Sequence, residues 1–136
     1  MKIARIDVDK LEQGDWVSDI PEAGELRIKT RGAQNKDWRK LAVKLTSAVP
    51  RSRRGADGSL APEDNDKILA VLLRDTAILD WEGLEDEDGK PLPYSKEQAN
   101  EYLTNPETRD FFDAALFAAN NVARQRKQAV EADAKN

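Results

Sequence analysis

The chain has 136 residues, 39% of them hydrophobic and 35% charged, which is enough apolar material for one modest core and not two. It contains no cysteine and no histidine, so disulfides, thiolate metal sites, the commonest metal ligand and the commonest general base are all missing, and most enzyme classes go with them. The net charge of -4 hides a division: from Leu26 to Arg54 ten basic residues stand against Asp37 alone, whereas from Asp75 to Glu101 nine acidic residues stand against Lys90 and Lys96. A thin core under so polar a surface implies marginal stability or a fold completed by a partner. No apolar run approaches the roughly 20 residues needed to span a membrane, and Met1-Lys2-Ile3 leads into no signal-peptide core.

From the N-terminus, Ala4, Ile6 and Val8 alternate with Arg5, Asp7 and Asp9, the period of a half-buried strand, expected over about Lys2 to Val8. Leu11 to Pro21 is rich in turn residues but carries Trp16, Val17 and Ile20, and reads either as a short second strand or as a strap over the core. Glu25 to Arg31 alternates cleanly until Gly32, and predicts a strand of a small antiparallel sheet. Asn35 then caps a helix to Val49 in which Trp38, Leu41, Ala42 and Leu45 recur at helical spacing, leaving Lys36, Arg39, Lys40 and Lys44 outward. Pro50 stops it. The run Arg51 to Gly58 has no large apolar anchor, so a mobile, protease-sensitive loop is expected. Pro62, Glu63 and Asp64 suit the first turn of a helix to about Asp75, with Ile68, Leu69, Leu72 and Leu73 facing the core.

Ile78, Leu79 and Trp81 form an apolar segment broken by Gly83 and the acidic tract Glu85-Asp86-Glu87-Asp88-Gly89, whose Asp-Gly pair is the sharpest turn signal in the chain. Pro91 and Pro93 hold the following residues extended. Ser95 with Gln98 makes a capping box for a helix from Lys96 to Leu103, and Asn105-Pro106 launches a longer one to about Arg126. The apolar pattern ends at Val122, and Arg124 to Asn136 is polar and alanine-rich, a solvated helical extension that frays. The predicted architecture is a helix-dominated α+β domain spanning 1–136: a small N-terminal antiparallel sheet within 1–32, about four helices within 33–123 with an acidic turn at 82–93, and a polar tail at 124–136. The expected core is Ile6, Leu26, Ile28, Trp38, Leu41, Leu45, Leu69, Leu72, Ile78, Trp81, Leu103, Phe112, Leu116 and Ala119.

The ordered set of an apolar-Trp-Glu-Gly strand ending at Gly83, the Asp88-Gly89-Lys90-Pro91 turn, Pro93-Tyr94-Ser95, a short helix ending in Leu103, and a final helix opened by Pro106 and carrying Arg109 and Phe112 resembles the tail assembly chaperones of long-tailed, siphovirus-like bacteriophages. The resemblance runs from about Leu26 to Val122 and does not reach Met1 to Glu25. It implies a non-catalytic protein, without cofactor, that binds the tape-measure protein and keeps it soluble until tail tube protein polymerises around it. It also implies action in the host cell cytoplasm and absence from the mature virion.

Candidate sites can be weighed on the residues themselves. Asp86, Asp88 and Gly89 have the spacing of a calcium loop, but the first ligand position would be Leu84 and the twelfth Ser95, which is not a bidentate glutamate. The exposed acids of one turn also lack the apolar surroundings that would raise one carboxyl for acid catalysis. The partner-binding candidates are therefore Arg39, Lys40 and Lys44 on the basic helix, Glu85, Asp86, Glu87 and Asp88 on the acidic turn, and Trp81, which is either core or an exposed anchor. The two charged stretches are either solvated faces of separate elements or docking patches that set neighbouring copies head to tail. At about 0.2 to 1 kcal/mol for each exposed pair, such self-association is weak without a client. The alternative is a small phage structural or regulatory protein whose basic face binds nucleic acid or a capsid or tail component. Nucleic acid is disfavoured because Trp38 falls on the apolar stripe of its helix and the acidic half of the chain would repel phosphates.

Overall fold

Arg27–Thr30 keeps the alternation of its sequence, with Ile28 and Thr30 buried between half-buried Arg27 and Lys29. In the computed structural model, which describes residues 1–127, this strand, β2, is the middle of a three-stranded antiparallel sheet. Its neighbours are β1, Asp15–Val17, and β3, Ile78–Glu82. Ile28 sits opposite Val17 on one side and Trp81 on the other, so one face of the sheet carries a continuous apolar row. The sheet is small and antiparallel, as expected, but its flanking strands are β1 and β3 and not Lys2 to Val8.

The N-terminal expectation is corrected by a cap. The Asp7 carboxylate accepts the Lys10 N–H at 3.1 Å and starts helix α1, Val8–Gln13, which ends at Gly14. Residues 5 to 7 pair instead with the chain just past the last helix: Asp7 N–H donates to Gln125 O at 2.9 Å and Lys127 N–H to Arg5 O at 2.9 Å. Ile6, placed in the core by its alternation, is 41% exposed in this two-stranded contact. The expected helical extension stops earlier too, since the final helix ends at Ala123; of the 124–136 tail, residues beyond 127 lie outside the described residues.

Helix α2, Lys36–Ser47, begins at the Asn35 cap, and it buries Trp38 while Leu41, Ala42 and Leu45 pack partly buried against the core. Helix α3, Pro62–Leu72, carries proline in its first turn and continues into a five-residue π-turn, Leu73–Ala77. A wider turn leaves carbonyls for outside donors, and they are used. Thr76 O accepts from Asn35 Nδ2 at 2.9 Å and from Arg31 Nη1 at 3.3 Å, while Ala77 O accepts the Arg31 N–H at 3.0 Å. Asn35 is fully buried and also donates to Gly32 O at 2.9 Å and accepts the Trp38 N–H at 2.9 Å. One side chain thus fastens the loop after β2, helix α2 and the π-turn together.

The basic run after α2 is pinned and not the free loop its composition suggests. Arg53 makes a two-pronged contact to Asp64 at 3.0 and 2.9 Å, and Arg54 donates to the carbonyls of Thr46, Val49 and Gly58. The first two are carbonyls at and just past the end of α2, where the helix's own donors run out. A guanidinium has five donors in a fixed fork, so it anchors a segment that no apolar residue could.

Helix α4, Lys96–Thr104, opens on Ser95, whose hydroxyl accepts the Gln98 N–H at 3.0 Å. Asn105 caps a single 3-10 turn, Pro106–Thr108, that leads into α5, Arg109–Ala123. Phe111, Phe112, Ala115, Ala118, Ala119 and Val122 of α5 are buried and the helix packs on β1 and β2. Its alanines allow close approach: Ala33 N–H donates to Ala119 O at 2.9 Å, and a Cβ on Gly32 would lie 3.1 Å from Ala123 Cα. Of the expected core, Leu26, Ile28, Trp38, Leu72, Ile78, Trp81, Leu103, Phe112 and Ala119 are buried, while Leu41, Leu45, Leu69 and Leu116 are only partly buried against it.

Candidate partner-binding surface

Trp81 occupies the centre of the molecule and not its surface. It is 4% exposed, with Tyr94 edge-on at 4.9 Å and Phe111 at 5.1 Å between ring centroids, and Tyr102 at 6.0 Å. Its indole N–H donates to Leu92 O at 2.8 Å. A buried indole needs such an acceptor, and the one it uses belongs to the returning arm of the acidic turn. Trp81 is therefore removed from the partner-binding residues and becomes the post that holds the turn to the core.

The turn itself is a short hairpin. Leu92 N–H donates to Leu84 O at 2.8 Å, Asp86 N–H to Lys90 O at 2.9 Å and Gly89 N–H to Asp86 O at 3.0 Å. Asp86 is consumed in building it, since its carboxylate accepts the amides of Asp88 and Lys90 at 2.8 and 2.9 Å. Glu85, Glu87 and Asp88 are left exposed. The hairpin starts at Gly83, where φ is +79° and a Cβ would fall 2.3 Å from Glu25 O, so only glycine fits.

Arg39, Lys40 and Lys44 are exposed along α2, beside Val43, which is 68% exposed. Among the described residues no ion pair joins these cations to the acidic hairpin. Much of the remaining basic charge serves the fold. Arg31 pairs with Glu12 at 3.2 Å and Asp37 at 2.9 Å; Arg27 pairs with Glu82 and lies over the Trp16 ring at 4.9 Å. The Arg53 guanidinium, through its hydrogen bonds, holds the Asp64 carboxyl below the usual aspartate range, and Arg74 followed by Lys96 does the same to Asp75.

A surface that the pattern of the sequence did not reveal lies between the β1–β2 loop, Leu84 and α5. It is a cleft of about 390 Å³ with Ile20, Leu26, Phe111 and Ala114 in its wall. Phe117, 39% exposed, lines it as well. The charged residues lining it are all acidic: Glu22, Asp110 and Asp113. One signal was available, because Asp110, Asp113 and Phe117 share a helical face of α5 opposite in character to its buried stripe. A phenylalanine on that acidic face has no role in the core.

Among the described residues, no group of three or more histidine, cysteine, aspartate or glutamate side chains is placed to hold a metal ion, and no helix is long and apolar enough to cross a membrane. No curated protein and no solved structure matches the chain. A family model described as YdaY prophage protein matches residues 33–136, which takes in α2 to α5 together with β3 and leaves β1 and β2 outside. With most of the chain matched, its phage origin is established, and the chain belongs to the YdaY prophage protein family.

Proposed function

We propose that this phage protein is a non-catalytic assembly chaperone that binds the tape-measure protein of a phage tail and keeps it soluble until tail tube protein closes around it. The observation that carries the reading is the cleft beside α5, an open surface with apolar walls and an acidic rim. Such a surface suits a helical client that would aggregate alone. The protein acts in the host cytoplasm and is left out of the mature virion. Copies bound along one client are set head to tail, Arg39, Lys40 and Lys44 of one towards the exposed acids of the next hairpin, and free protein is monomeric or weakly associated because exposed pairs contribute little. The nucleic-acid alternative loses support from the internal use of Arg27, Arg31, Arg53 and Arg54.

Co-expression with the tape-measure protein of the same prophage tests the reading. The client should move from the insoluble to the soluble fraction and co-purify with the chain. A client that stays insoluble, or is equally soluble without the chain, would refute it.

A further inference from the structure

The charge on the cleft says more than its shape. Glu22 and Asp110 are exposed and, among the described residues, in no ion pair; Asp113 has one, to Arg109 at 3.3 Å, and Arg109 makes its shorter contact of 2.8 Å to Asp66. The three carboxylates therefore stand largely uncompensated around an apolar floor. Leu84, which lines the same cleft, leads directly into the exposed Glu85, Glu87 and Asp88, extending the field of one sign beyond it. An apolar segment flanked by acids would be repelled there, and one flanked by bases would be drawn in.

We infer that the cleft between the β1–β2 loop and α5 is a docking site for a cationic amphipathic helix, one that inserts apolar side chains against Phe111, Ala114 and Phe117 while its lysines or arginines meet Glu22, Asp110 and Asp113. The occupant is a segment of the client protein. The cleft has room for a few side chains and not for a whole helix, so each engagement is weak and a long client gains affinity from repetition. The inference deepens the chaperone reading by naming the chemistry of what the cleft holds.

The test uses the full chain, labelled for amide NMR, and two synthetic helical peptides with one shared apolar face and either lysine or glutamate flanks. The lysine peptide should shift the amides of Ala23, Leu84, Ala114 and Phe117, and the glutamate peptide should not. Asp110→Lys should weaken the lysine peptide roughly fivefold to tenfold at low salt, with the isosteric Asp110→Asn giving a smaller loss should the reversal impair folding, and Phe117→Ser should weaken it in any salt. Equal binding of both peptides, or shifts confined to residues outside the cleft, would overturn the inference. So would cleft shifts on dilution of the protein alone, which would make a second copy the occupant. Client solubilisation without lysine-peptide binding would sink this inference and leave the chaperone reading standing; peptide binding in the cleft without client solubilisation would do the reverse.

Discussion

Replacing Trp81 by phenylalanine separates a core tryptophan from a surface anchor. The substitution removes the donor to Leu92 O, bonded at 2.8 Å, and leaving that partly buried carbonyl unpaired costs about 1 to 3 kcal/mol. The smaller ring forfeits about 1 kcal/mol of transfer energy and loosens the contacts with Tyr94 and Phe111. Together the loss is about 2 to 4 kcal/mol, a large share of a small domain's stability, and should lower the urea midpoint by roughly 1 to 2 M. Far-UV circular dichroism is the suitable probe, because the mutation changes the fluorescence signal itself. Amide exchange supplies a second readout: the hairpin N–H groups of Asp86, Gly89 and Leu92 should exchange faster, since the post that fixes their strand is gone. An unchanged midpoint with unchanged hairpin exchange would show that the indole is not the centre of the core, and would return Trp81 to the list of surface anchors.

Phe112→Ala should cost about 3 to 5 kcal/mol, because the ring is buried and also carries the Arg109 guanidinium at 4.2 Å; thermal unfolding checks it, and a wild-type Tm would put the ring at the surface. Asn35→Ser keeps an acceptor for the Trp38 N–H but removes the side-chain N–H bonds to Gly32 O and Thr76 O, which keep the Asn35 N–H and Arg31 Nη1 as donors, so it should lose about 1 to 3 kcal/mol in urea titration, whereas a cap-only residue would tolerate serine. Asp64 and Asp75 titrate below the ordinary value of 3.8 when folded and return to it when unfolded, so the unfolded chain binds more protons over that interval. Stability from these two pairs should be complete above about pH 5 and fall as the pH drops through the folded values; urea midpoints measured down that range should show the slope, and Asp64→Asn should reduce it.

The parts of this structure that were legible in the sequence are those decided within a few residues. Asn35, Ser95 and Asn105-Pro106 announce helix starts because a cap and the amides it serves are neighbours in the chain. The strand at Arg27–Thr30 shows itself by alternation. What was not legible depends on distant partners. The alternation of Ala4, Ile6 and Val8 reads as a strand of the sheet, yet the Asp7 cap takes the following residues into α1, and among the described residues the pairing of this stretch is with residues 125 to 127. Arg53 and Arg54 read as a free basic loop because composition does not reveal that Asp64 and the carbonyls of Thr46 and Val49 lie within reach. The charged candidates on α2 and the hairpin were readable as exposed, though Asp86 was not readable as the residue that builds its own turn. The cleft was hidden for the same reason as the core around Trp81: its walls come from three segments far apart in the chain, and only Phe117 on an acidic helical face betrayed it.

The central claim, that this chain shields an aggregating helical client, is tested most directly by diluting denatured fragments of the tape-measure protein, of increasing length, into buffer containing the purified chain and following light scattering. Scattering should be abolished at a saturating ratio of chain to fragment, the ratio should rise in proportion to fragment length, and Phe117→Ser or Asp110→Lys should raise the concentration needed. Scattering that persists at large molar excess of the chain, or is suppressed equally by an unrelated protein of similar charge, would contradict it.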